Sequence, residues 1–311
     1  MFRQGKKASY DIDMFSYSLE SLLSDLQAEI ANGSYRHGTY RTFVVTENKK
    51  REISVASVRD RVVHRMLYEY LVPIYDQTFI FDVWSCRKGK GLVGAIKRTQ
   101  DLFARYPNTY IWRADVRKFF DSVDHDVLKR ILSFRIADPI ALRLFHQVID
   151  SYHVPALNGV SVSDQKGIPI GNLTSQIFAN IYFNEADRFV KHTLRPTAYL
   201  RYGDDFFIIA GSYAEASAFR EKIIGFLRCE LRLEINPKHD ILIPVRHGLR
   251  FLGVEIFPSG RRLNTRNRKR IETNLRIENI SSYRGLLGEH EHAKRIRRFD
   301  WKLLERYDEE F

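Results

Sequence analysis

Two short apolar, aromatic runs, Tyr199-Leu200-Arg201-Tyr202 and Asp205-Phe206-Phe207-Ile208, are separated by only Gly203-Asp204. Glycine at the first central position of a two-residue connection suits a type II′ hairpin turn. The spacing therefore predicts a rigid ribbon with adjacent carboxylates, Asp204 and Asp205, at its tip. Neighbouring carboxylates repel, and a divalent cation is the natural compensation. Because Asp and Gly are also ordinary turn residues, this turn alone specifies a geometry and not a chemistry.

A second acid upstream supplies the chemistry. Tyr110-Ile111-Trp112-Arg113-Ala114 reads as a buried strand ending at Asp115, followed by a helix with Val127, Leu128, Ile131 and Leu132 inward. Taken singly, Asp115 serves equally well as a helix cap or a turn residue. A carboxylate at a strand end together with a carboxylate hairpin is what two-metal phosphoryl transfer requires. Its ions stand about 3.5–4 Å apart and are bridged by acids from separate elements.

The Asp115 block, the Tyr202-Gly203-Asp204-Asp205 block and the intervening Gly167-Ile168-Pro169-Ile170-Gly171-Asn172-Leu173-Thr174-Ser175-Gln176 resemble the palm motifs of reverse transcriptases. Arg51-Glu52-Ile53, Arg59-Asp60-Arg61-Val62-Val63-His64, and Phe79 through Ser85-Cys86-Arg87-Lys88-Gly89-Lys90-Gly91 are similar to the fingers of the bacterial members. Leu233-Glu234-Ile235-Asn236-Pro237-Lys238 and Phe251-Leu252-Gly253 match the last palm blocks, so the resemblance covers about residues 25–260. In most of that family the middle block carries Gln-Gly and then Ser-Pro. Here Ile170 stands in the Gln place and Gln176 in the Pro place. This string, with Leu26 to Ile30, Gly33, Tyr35 and Tyr40-Arg41, is similar to the reverse transcriptases of diversity-generating retroelements, which copy a template RNA with frequent errors at adenines.

The resemblance implies an α+β right-hand polymerase. Residues 1–110 would form an N-terminal helix and fingers, 111–260 a palm with part of the fingers interleaved, and 261–311 a short basic α-helical thumb. It implies catalysis by Asp115, Asp204 and Asp205, with two Mg²⁺ ions (Mn²⁺ able to stand in) held by these acids and the Val116 backbone. The implied dNTP pocket comprises Lys50, Arg51, Phe119, Phe120, Ile170, Gly171, Gln176 and Lys238. In it Arg51 is the first choice for a triphosphate clamp and Lys50 the second. Phe120 is the expected steric gate against a ribose 2′-hydroxyl, its alternative being a core aromatic, as expected of Phe119. Lys238 has a phosphate or general-acid role, or is a solvated lysine. Arg59 and Arg61 contact template or simply cap a helix, and Arg87, Lys88 and Lys90 among glycines suit RNA phosphates. Arg266, Arg268, Lys269 and Arg270 are expected on primer–template. Implied partners are template RNA, primer and cDNA, dNTPs and a small basic oligomeric accessory protein. A retron-type or phage-defence reverse transcriptase and an RNA-binding scaffold with a decayed polymerase fold are the competing readings.

Composition agrees with a polyanion partner: 50 Lys and Arg against 38 Asp and Glu give a net charge of +12. Residues 261–311 alone carry 14 basic against 9 acidic side chains. No apolar run nears the ~20 residues that span a bilayer, and Met1 to Lys7 is not followed by a long apolar segment. A cytoplasmic protein without membrane contact is expected, with Cys86 and Cys229 as free buried thiols in a reducing compartment. Helical periodicity is read over 11–32 with a stop at Asn32-Gly33, from Asp60 to Leu71 with Pro73 closing it, and from Ala214 to Leu231. A hairpin is read across Asn48-Lys49-Lys50, and thumb helices are read from Ile271 and Ile296.

Overall fold

The computed structural model describes residues 10–46, 50–152, 154 and 165–308. The N-terminal periodicity divides into α1 (Tyr10–Tyr17) and α2 (Leu19–Asn32). Gly33 ends α2 in the left-handed region at φ +79°, where a glycine pays no Cβ penalty, and its N–H returns to the Ile30 carbonyl. β1 (Arg41–Thr46) and β2 (Lys50–Val55) form an antiparallel hairpin with Arg41 opposite Val55 and Thr46 opposite Lys50. Asn48 and Lys49 of the expected turn lie outside the described residues. α3 (Val58–Tyr75) starts at Ser57, whose hydroxyl accepts from the Asp60 N–H. Pro73 does not close α3 as expected. Lying within the last turn, it removes a single intrahelical donor, and the helix runs two residues beyond it.

α4 (Leu92–Arg105) leads into β3 (Tyr110–Asp115), then α5 (Phe119–Ser122) and α6 (His125–Ser133), capped by Asp124. α7 (Pro139–Asp150) has Asp138 as its cap and proline at its first position, where the missing N–H is harmless. α8 (Leu173–Arg188) precedes β4 (Ala198–Tyr202) and β5 (Asp205–Ala210), with α9 (Tyr213–Leu231) and β6 (Ile241–Pro244) following. β7 (Leu249–Phe251), β8 (Val254–Phe257) and β9 (Gly260–Leu263) make a second small sheet. α10 (Thr265–Thr273), α11 (Ile280–His290) and α12 (Ala293–Asp308) follow it. Arg261 and Arg262 therefore belong to a strand, and the boundary at residue 260 falls inside the β8–β9 hairpin.

The central sheet is antiparallel in the order β4-β5-β3-β6. Side chains alternate across it. Trp112, Ala114, Phe206 and Ile208 join a core built with α6, α7, α8 and α9. Ile111, Leu200, Phe207 and Ile209 face the opposite way into a core made with α4, the small sheet and the C-terminal helices. Cover on both faces explains why Phe206 to Ala210 is a continuous apolar run, every member of it buried. Full burial of each large side chain contributes about 1.5–3 kcal/mol. The acids stand together at one end of this sheet. No described helix is long and apolar enough to cross a membrane. Cys86 and Cys229 are exposed, contrary to the buried thiols expected: one lies in the loop before α4 and the other on the outer face of α9.

Candidate active site

The β4–β5 connection is the predicted two-residue turn: Tyr202 pairs with Asp205, and of the two turn residues only Gly203 has positive φ, at 68°. What fixes it lies beneath. Arg201 is fully buried and donates to both oxygens of Asp187 (2.8 and 2.6 Å), to Asn180 Oδ1 (3.0 Å) and to the Gly203 carbonyl (2.9 Å). Tyr199 OH also donates to Asp187 (2.6 Å), and the Gly203 N–H donates to Ser85 Oγ (2.9 Å). A buried ion pair is tolerable when its remaining hydrogen bonds are made, and this one hangs the turn from α8.

Asp115 lies opposite Asp205 across the β3–β5 ladder. Asn236 braces it, with its N–H on the Asp115 carbonyl (2.8 Å) and its side-chain amide on Asp115 Oδ2 (3.3 Å). The Val116 N–H donates to the Asp204 carbonyl (3.3 Å), joining the strand end to the turn. Burial first, and the neighbouring Asp115 charge second, push the Asp204 carboxyl up to about 6, while Arg51 pulls it back. Arg51 thus reaches the field of the acids from the β1–β2 hairpin. A desolvated carboxylate beside a second carboxylate suits a divalent cation. Asp205, expected to complete the cluster, is engaged by an arginine in this structure. Its two oxygens accept from Arg113 Nε (2.8 Å) and Nη2 (2.6 Å). Among the described residues, no three His, Cys, Asp or Glu side chains form a group that could hold a metal ion.

The expected dNTP residues divide into three sets. Lys50 and Arg51 are exposed on β2, Phe120 is half-buried, and Gln176 and Lys238 are exposed. Phe119 is not a pocket residue: it is 2% exposed and packs edge-on against Phe183 at 5.7 Å. Ile170 and Gly171 act through the backbone. The Ile170 carbonyl accepts the Ser54 N–H (2.9 Å), and Gly171 sits at φ +117° with space for a Cβ only 2.8 Å from Ile53 Cγ2. Next to them Asn172 donates to the Ser54 carbonyl (2.6 Å) and accepts the Ala56 N–H (3.1 Å). The middle block is thus the strap that holds the β1–β2 hairpin onto the body.

Several expected nucleic-acid cations are engaged internally. Arg59 pairs with Glu29, donates to the Arg36 carbonyl and lies over the Tyr35 ring, tying α3 to α2. Arg87 donates to Asp76 (2.7 Å) and to the Ile80 carbonyl (2.9 Å), so it locks the loop before α4. Lys90 donates to the Phe81 carbonyl (2.9 Å) with its ammonium 3.5 Å from the Phe81 ring centroid. Lys88 is exposed, as are Arg266, Lys269 and Arg270 on α10. Arg61 is half-buried, with a buried Nε that has no hydrogen-bond partner. Arg268 shares a cavity of about 220 Å³ with Ile271, Leu287, Glu291 and Phe299 between the C-terminal helices. Sequence reasoning missed Arg113, Arg201, Asn172 and Asn236 as supports. Only Asn172 and Asn236 had a signal, since each stands inside a motif block.

A family model described as reverse transcriptase (RNA-dependent DNA polymerase) matches residues 41–256. Protein YkfC of Escherichia coli (strain K12) is 25% identical over 268 residues, covering 74% of this chain and 70% of YkfC. The group II intron-encoded protein LtrA of Lactococcus lactis subsp. cremoris is 21% identical over 293 residues, covering 72% of this chain and 48% of LtrA, so the chain spans about half the length of that relative. Telomerase from Candida albicans, solved in complex with a TWJ fragment of telomeric RNA, superposes with a TM-score of 0.54 at 13% identity. That alignment covers 79% of this chain and 49% of the telomerase chain, and it is a likeness of fold. The mixed helix and sheet architecture is the right-hand polymerase fold. With the family match running from β1 to β8 and taking in both acid-bearing strand ends, the chain belongs to the reverse transcriptase (RNA-dependent DNA polymerase) family.

Proposed function

We propose that this RNA-directed DNA polymerase copies the template RNA of a diversity-generating retroelement into cDNA in the cytoplasm, with errors concentrated at template adenines. The observation that carries the chemistry is the placement of Asp115 at the end of β3 and Asp204 at the tip of the neighbouring β4–β5 hairpin, where burial and the Asp115 charge both raise the Asp204 carboxyl. The subtype is supported by Ile170 and Gln176 in the middle block, where most of the family has Gln and Pro. The same two residues weigh against a retron-type or phage-defence enzyme. Retention of repelling acids weighs against a decayed scaffold. A small basic oligomeric accessory protein belongs to this reading through the family resemblance.

Asp115, Asp204, Asp205 and the Val116 backbone would hold two divalent cations, Mg²⁺ or Mn²⁺, which when bound would neutralise charge on the transferring phosphate and the attacking 3′-oxygen. The rest of the work is positioning. Arg51 brings a cation from the hairpin to the triphosphate side of the acids. Phe120, its carbonyl held by the Ile168 N–H (2.8 Å), presents a half-buried ring where the sugar would lie. Ile170 offers no side-chain hydrogen bond to the incoming nucleotide. Losing one such bond lowers discrimination by about 0.5–1.5 kcal/mol, up to roughly tenfold.

The test is to extend a primer on an RNA of mixed sequence with the purified protein, with and without its accessory protein, and to sequence the cDNA. Substitutions in excess opposite adenine, reduced by Ile170→Gln, are expected. An even error spectrum across the four template bases would contradict the retroelement assignment while leaving the polymerase intact.

A further inference from the structure

The helices that follow the small sheet enclose a cavity lined by none of the acids of the polymerase centre. It measures about 220 Å³ between α10, α11 and α12, and its floor is Ile271, Leu287 and Phe299, all buried. Four cations and two acids stand around that apolar floor. The acids are already committed. Glu291 accepts the Leu263 N–H (3.1 Å) and pairs with Arg295 (3.0 Å), tying the end of β9 to α12. Glu272 lies 3.9 Å from Lys302. Arg268 and Arg298 are left over, since among the described residues neither has a carboxylate partner. Arg268 donates from Nη2 to Thr265 Oγ1 (3.3 Å) on its own helix, while its Nε is buried with no hydrogen-bond partner. A buried donor of a permanent cation is costly to leave unmade. Two uncompensated guanidiniums above an apolar floor are satisfied by an anion carried on an apolar body.

We propose that the cavity between α10, α11 and α12 is a binding site for a single nucleoside monophosphate unit, with its phosphate on Arg268 and Arg298 and its base against Ile271, Leu287 and Phe299. Guanidinium forks match phosphate oxygens in a way that a lone ammonium does not. The two surplus positive charges suit the dianion of a terminal phosphate, and the floor suits the faces of a base. The volume is below the ~300–1,000 Å³ of sites that enclose drug-sized molecules, so it admits one unit and not a length of strand. A free nucleotide and the 5′-phosphorylated end of a bound strand present this same chemistry. Because the acids of the cavity are paired internally, the site needs no divalent cation, which separates it from the polymerase centre.

The experiment titrates the full chain calorimetrically, in excess EDTA, with AMP, inorganic phosphate, adenosine and a 5′-phosphorylated adenosine trinucleotide. The chelator silences nucleotide binding that depends on a metal ion. AMP should fill a single site, at least about tenfold more tightly than phosphate or adenosine alone, because each of these satisfies only half of the cavity. Arg268→Ala and Arg298→Ala should each weaken AMP roughly tenfold or more, the loss expected of charged hydrogen bonds. Leu287→Trp should abolish binding by filling the cavity, and Asp115→Asn should leave it unchanged. A trinucleotide that binds more tightly than AMP identifies a strand end as the source of the unit, and one that binds no more tightly identifies a free nucleotide. Absence of AMP binding in EDTA would overturn the proposal. So would phosphate binding as tightly as AMP, which leaves the floor without a role, and so would loss of binding in Asp115→Asn, which places the nucleotide at the polymerase centre. Arg298 is exposed, so Arg298→Ala spares the helix packing and decides the matter even where Leu287→Trp does not fold. Unchanged AMP affinity in that variant overturns the proposal.

Discussion

Two hairpins meet at the acids and are built in opposite ways. The β4–β5 hairpin is buried from Ala198 to Arg201 and from Phe206 to Ala210, with its turn fixed from below by Arg201, Asp187, Asn180 and Ser85. β1 is exposed at every position, and in β2 only Ser54 is buried. Its attachment is the strap of Ile170 and Asn172 at the base of β2. The difference follows the chemistry. Carboxylates that compensate an ion must not shift during reaction, so they sit on an element that packing over-determines. A cation that closes on a triphosphate must travel, so Arg51 sits on an element with few buried contacts and low local stability.

The largest effect should come from undermining the rigid hairpin. Arg201→Met leaves Asp187 buried without its partner and should destabilise the protein by about 3–5 kcal/mol, visible as a lower denaturation midpoint. On the mobile side, Arg51→Ala should leave thermal stability unchanged. It should raise the KM for dNTP roughly ten- to hundredfold, the loss of about 1.5–3 kcal/mol from charged hydrogen bonds. Steady-state kinetics beside a melting curve separates the two hairpins on this criterion. Asn172→Ala should loosen the strap by about 1–3 kcal/mol, raising amide exchange in β1 and β2 while β4 and β5 keep their protection.

A smaller effect concerns pH in chelator-treated protein. Asp204 titrates near 6 when folded and near 3.8 when unfolded, so the native state holds its proton longer. Stability therefore falls as pH rises through that window. Asp204→Asn lacks this penalty. It should melt higher than the unmodified protein at pH 8, by on the order of 1–3 kcal/mol, and equally with it below pH 4. Equal melting at both pH values would mean that neither burial nor the Asp115 charge raises the Asp204 carboxyl.

The turn, the strand into Asp115, the inward face of α6 and the helical period of α9 were legible because each is a local pattern: a two-residue connection, a period of two, a period of 3.6. The roles of cations were not. Arg59 pairs with Glu29 and Arg87 with Asp76, and neither separation matches a helical or strand repeat, so nothing local marks them as engaged. Arg113 meets Asp205 only because of the β3–β5 register, which no single segment encodes. Phe119 and Phe120 read alike in sequence, and the short helix α5 turns one into the core and leaves the other half-buried. Cys86 and Cys229 looked buried by residue type alone, and loop and helix-face placement decided otherwise.

The central claim is that Asp115 and Asp204 make this chain a metal-dependent polymerase on RNA. The most direct measurement is incorporation of dNTPs onto a DNA primer annealed to an RNA template, with Mg²⁺ or with chelator, by the unmodified protein and by Asp204→Asn. The account predicts extension only by the unmodified protein with Mg²⁺, and a loss of at least about a thousandfold in Asp204→Asn, about 4 kcal/mol of transition-state stabilisation, in a protein that melts no lower. Extension by Asp204→Asn at a comparable rate, or extension insensitive to chelator, would contradict it.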